Sequence, residues 1–174
     1  MVITSPRRIV GLSETHFVDE EAFLARKDIA RSLIDELDGL GGIDLVILLG
    51  DIWDLWRTRL PAAAASGAIF FHELSSWGGA GEYALVCGNH DYHMWSFHEE
   101  AFERREAGWE EASELVLVLG RSGQESRPVC AVEGLPLWLC YPFLDLDVGG
   151  RPVLLMHGHH LDFFSRSFWW AKTA

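Results

Sequence analysis

The run Asp44-Leu45-Val46-Ile47-Leu48-Leu49-Gly50-Asp51-Ile52-Trp53-Asp54 decides how the chain is read. Five consecutive aliphatic residues predict a strand, Asp44 to Leu49, buried on both faces, as in the middle of a parallel sheet. It runs straight into a glycine and then two carboxylates three residues apart. Glycine allows a sharp backbone turn there. The carboxyl ends of strands are also where ligand sites form in open α/β sheets. Asp51 and Asp54 have a plainer reading too, as an N-cap and a first-turn acid of a following helix.

The same arrangement recurs outward from this run. Upstream, Arg8 to Leu12 reads as a short strand that leads to Glu14-Thr15-His16. Between them, Glu20 to Asp38 reads as a helix, with Ala30, Leu33, Ile34 and Leu37 on one face and glycines 39, 41 and 42 to stop it. Downstream, Ala62 to Ser75 reads as a second helix, and Tyr83 to Cys87 as a buried strand leading to Gly88-Asn89-His90-Asp91. Phe97 to Glu111 is charged and helix-like. Beyond it, Leu115 to Leu119, Val129 to Glu133, Leu137 to Phe143 and Val153 to Met156 read as four strands with glycine turns between them. The last leads to His157-Gly158-His159-His160. The first half is therefore βαβαβ and the second a run of hairpins, an α/β layer structure with mixed sheets.

Composition narrows the function. The 174 residues fit a single domain, 1–174, with an apolar core. A net charge of −12 argues against broad binding to nucleic acid or anionic membranes, while leaving room for a site that gathers cations. Three scattered cysteines without a CxxC pair fit a reducing compartment. Met1 to Arg8 lacks the apolar core of a secretory signal, so a cytoplasmic location is expected. Each polar cluster alone could be loop or cap chemistry. Four of them at four strand ends suit one crevice. Its His, Asp, Glu and Asn donors, with no thiolate among them, fit Mn, Fe, Zn, Ni or Mg.

These residues resemble the calcineurin-like metallophosphoesterase superfamily. Gly50-Asp51-Ile52-Trp53-Asp54 matches its Gly-Asp-x-x-Asp block, Gly88-Asn89-His90-Asp91 its Gly-Asn-His-Asp block, and His157-Gly158 its lone His block. The spacings agree, with 38 residues from Asp51 to Asn89 and 68 from Asn89 to His157. The resemblance implies a four-layer αββα sandwich with mixed β-sheets and two divalent metal ions. By the same resemblance Asp51 would bridge the two ions, Glu14 and His16 would hold the first, and Asn89 and His157 the second. His90 would protonate the leaving oxygen, held by Asp91 behind it, with Asp54 orienting a ligand. The implied activity is hydrolysis of a phosphomonoester or phosphodiester by metal-activated water. The substrate would be a phosphorylated small molecule, lipid or protein.

The sequence departs from the family pattern twice. Glu14 stands where the family has Asp, one methylene longer. The final Gly-His-x-His block is absent, so a chain incomplete at its C-terminus is expected, with His159 or His160 as substitute ligands the alternative. Both departures leave a second expectation, a non-catalytic scaffold of the same fold. The aromatic run from Phe163 to Trp170 has two readings: it packs on a part of the protein beyond the chain, or it meets a lipid surface. The stretch Gly50 to Trp56 is also similar to the corresponding block of UDP-diacylglucosamine hydrolases. Trp53, Trp56, Trp77 and Trp95 are candidates for a substrate cleft or for the core, with Trp77 assigned to the core.

Overall fold

Strand β3, Ile43–Leu49, lies inside a six-stranded sheet, as its aliphatic run requires. A computed structural model describes residues 2–4, 6–97, 117–122 and 127–161 of the chain. The further strands are β1 (Val2–Thr4), β2 (Ile9–Leu12), β4 (Ala80–Val86), β5 (Leu117–Ser122), β6 (Arg127–Val132), β7 (Leu135–Cys140), β8 (Leu144–Val148) and β9 (Arg151–Leu155). The helices are α1 (Lys27–Leu40) and α2 (Leu60–Trp77). The large sheet runs β2-β3-β4-β7-β6-β5, parallel from β2 to β7 and antiparallel from β7 to β5. A smaller sheet runs β1-β8-β9, with β1 parallel and β9 antiparallel to β8.

The period-two geometry of β3 divides its side chains between two cores. Val46 and Leu48 face α1 and α2, joining Leu37, Phe70, Phe71, Leu74 and Trp53. Leu45 and Ile47 face the other way, joining Leu144 and Leu146 of the small sheet. Helix layer, large sheet and small sheet thus give three layers of the expected αββα sandwich among the described residues. No helix among them is long and apolar enough to cross a membrane.

The βαβαβ first half is as expected, with differences at element ends. The first helix begins at Lys27, not Glu20, because Arg26 is extended (φ −80°, ψ 125°). Ahead of it Phe23–Ala25 form a 3₁₀ turn that buries Leu24 and Ala25. Helix α2 starts two residues early, at Leu60, with Pro61 in the first turn, where its missing N–H costs nothing. The strand expected from Leu137 to Phe143 ends at Cys140, and a separate strand, β8, follows. Residues 93–97 are helical; the rest of the helix expected at 97–111 and the aromatic tail lie outside the described residues.

Candidate metal centre

Two parallel neighbours, β2 and β3, end side by side, and the loops that follow them stay paired. Glu14 N–H donates to the Gly50 carbonyl (3.2 Å), His16 N–H to that of Asp51 (3.0 Å) and Phe17 N–H to that of Ile52 (2.8 Å). This pairing holds Glu14, His16 and Asp51 at φ of 61°, 46° and 54°. Left-handed backbone at a non-glycine residue is a local strain of about 1–3 kcal/mol and concentrates at functional sites. Here it turns three carboxylate or imidazole side chains toward one another.

Two glycines admit the neighbouring strand ends. A Cβ on Gly88, after β4, would lie 2.2 Å from Asp51 Oδ1 and 2.6 Å from its backbone nitrogen. A Cβ on Gly50 would lie 2.4 Å from the His157 ring. The glycines therefore serve close approach: one lets the Asp51 carboxylate sit against the β4 turn, the other lets His157 lie on the β3 turn. With them in place, all four clusters read from the sequence meet at one end of the sheets.

Glu14, His16 and Asp51 offer ligand atoms within 4.8 Å of one another, and so do His16, Asp54 and His90. Glu14 accepts from two imidazoles at once, His157 Nε2 (2.7 Å) and His16 Nε2 (3.0 Å). Burial raises the Glu14 carboxyl, yet the bonds to His157 and His16 outweigh it and hold it below its ordinary value. His157 Nε2 also lies 3.6 Å from Asp51 Oδ2, and its Nδ1 lies 3.3 Å from His159 Nδ1. Asn89 is half-buried on the turn between Gly88 and His90. These nitrogen and oxygen donors fit a borderline or hard divalent cation. Cys140, by contrast, is buried, and burial pushes its thiol up to about 12, so it offers no thiolate.

The partner of the His90 imidazole is not the aspartate expected. His90 Nδ1 donates to Asp54 Oδ1 at 2.7 Å, so Asp54, and not Asp91, holds the imidazole. An ionised carboxylate only accepts, so the proton sits on Nδ1 and leaves Nε2 for chemistry. Burial raises the Asp54 carboxyl, but the hydrogen bond and charge of His90, with help from His16, bring it below its usual value. Asp91 is fully buried and binds the backbone instead. Its Oδ2 accepts from Ile52 N–H (2.7 Å) and Trp53 N–H (3.4 Å), and its Oδ1 from Gly88 N–H (2.6 Å). It ties the β3 turn to the β4 turn. Burial pushes its carboxyl up to about 6. His90 is anchored by its backbone too, its N–H donating to Asp51 Oδ1 at 2.9 Å.

The tryptophans separate into two kinds. Trp53 is fully buried and stacks on Phe71, with ring centroids 5.2 Å apart. Trp77 and Trp95 pack against the core, Trp77 also donating to Asp38. Trp56 is 55% exposed and lies on the His90 ring, centroids 4.1 Å apart and planes at 25°. The sequence marks Trp56 only by position, two residues after Asp54, and carries no sign of this stack.

The family model of calcineurin-like phosphoesterases matches residues 7–172. No curated protein and no solved structure gave a significant match.

Proposed function

The chain belongs to the calcineurin-like phosphoesterase family, and on that footing we propose that it hydrolyses a phosphomonoester or phosphodiester at a dinuclear centre bridged by Asp51. One observation carries the reading: Glu14, His16 and Asp51 converge within 4.8 Å at the ends of adjacent parallel strands. In this reading Glu14 and His16 would hold one divalent ion, and Asn89 and His157 the other. Bound ions would neutralise phosphate charge and acidify a coordinated water.

The chain's own residues supply the rest. Asp54 fixes the tautomer and orientation of His90 through its hydrogen bond to Nδ1. With Nδ1–H held by Asp54, the doubly protonated His90 ring would give its Nε2 proton to the leaving oxygen and be left as the neutral Nδ1–H imidazole. Asp91 keeps the β3 and β4 turns in register, so that Asp51 and His90 stay together. The test is hydrolysis of bis-p-nitrophenyl phosphate and p-nitrophenyl phosphate with added Mn²⁺. Wild type should turn over at least one, and Asp51→Asn should abolish it. Equal rates in the two proteins would refute the assignment.

A second reading rests on Glu14. It stands where the family has Asp, one methylene longer, a change that a non-catalytic relative would tolerate. A folded wild type inert toward both substrates across divalent metals would favour that scaffold.

A further inference from the structure

Trp56 lies at the rim of the candidate metal centre. Its indole is more than half exposed while it lies on the His90 ring, so apolar area stands beside the candidate ligands. Its position is built rather than loose. Leu55 N–H donates to the His90 carbonyl (3.1 Å), and the amides of Arg57 and Thr58 both donate to the Asp54 carbonyl (3.2 Å each). The turn that carries Trp56 is thus pinned on both sides to the residues that hold His90. The ring packing continues inward, where His16 meets His90 edge-on with centroids 4.9 Å apart.

Resting on the phosphoesterase reading, we propose that Trp56 is the specificity residue of the site, stacking a planar ring carried by the phosphoester. An ester group attached to phosphorus next to His90 Nε2 would pass over the exposed indole. A flat ring there gains offset stacking, and an alkyl chain gains less. Stacking of one base on an aromatic side chain is worth about 1–3 kcal/mol, about five- to 150-fold in affinity. The ring can belong to an aryl group or a nucleobase, since both present a π face. A different role is open to the same geometry: Trp56 could serve only to steady His90. That role gives no preference between ring and chain.

The experiment compares pairs that share an anionic head, in wild type, Trp56→Ala and Trp56→Phe loaded with Mn²⁺. Phenylphosphonate against methylphosphonate tests an aryl ring; adenosine monophosphate against ribose 5-phosphate tests a base. Calorimetric Kd values should favour the ring by about tenfold in wild type in at least one pair. Trp56→Ala should bring that ratio near one, and Trp56→Phe should keep most of it. Wild type without a preference in either pair, or Trp56→Ala with the preference intact, overturns the proposal. The two failures are distinguishable: a protein that binds rings through Trp56 but hydrolyses nothing overturns the phosphoesterase reading and leaves Trp56 a ring-binding residue, not a specificity residue for hydrolysis.

Discussion

Asp54 and Asp91 each stand in a motif beside a candidate ligand, and only their surroundings separate them. Asp54 meets one imidazole nitrogen at 2.7 Å; Asp91 meets three backbone amides. Their substitutions should fail differently. Asp54→Asn should lower kcat by about 10- to 100-fold with KM little changed, because it frees the His90 tautomer. Steady-state kinetics check this, and a calorimetric Mn²⁺ titration of the same variant should match wild type. A large loss of affinity would instead place an ion among His16, Asp54 and His90. Asp91→Ala leaves buried amides without an acceptor and should cost about 3 kcal/mol or more in urea denaturation. The family resemblance puts Asp91 behind the imidazole, whereas the structure puts Asp54 there. A residue next in the chain to His90 points away from its ring, while Asp54, 36 positions earlier, is brought under it by the β3 turn.

At the scale of elements, strands deliver the site and glycines let it close. Gly88→Ala would drive a methyl into the Asp51 carboxylate. Mn²⁺ affinity should fall at least about tenfold, read by calorimetry on a protein whose circular dichroism is unchanged. Gly11→Ala in β2 is the control: a Cβ there meets nothing within 4 Å, so affinity and stability should stay within about 0.5 kcal/mol. Helix α2 is held by aromatic packing, with Phe71 against both Trp53 and Phe70. Phe71→Ala should cost about 3–5 kcal/mol in denaturant unfolding. Long apolar runs made β3, β4 and the βαβαβ order legible. Strand β8 was missed although Leu144, Leu146 and Val148 alternate with Asp145 and Asp147, the pattern of a half-buried strand. Three-residue β1 carries too little pattern to be read at all. The 3₁₀ turn ahead of α1 hid because its apolar spacing continues that of the helix.

For the whole molecule, the sequence revealed the layers but not the order of strands. That β7 crosses to pair in parallel with β4, while β8 leaves for a second sheet, depends on tertiary packing that no local period encodes. The two sheets bring the end of β9 over the end of β3, which is how His157 reaches Asp51 across the molecule. The −12 net charge acquires a local meaning, since Glu14, Asp51 and Asp54 gather around His16, His90 and His157. A centre that binds ions only when folded stabilises the fold by mass action, about 2.7 kcal/mol at a hundredfold excess over Kd. Mn²⁺ should therefore raise the Tm of wild type, and chelation should reverse the shift.

Calorimetric titration of Mn²⁺ into chelator-stripped wild type and Asp51→Asn tests the central claim most directly, that Asp51 anchors a divalent metal centre where these strands end. Saturable binding in wild type that Asp51→Asn weakens by at least about a hundredfold is the predicted result. Wild type that takes up no ion, or a variant that binds as tightly as wild type, would contradict it.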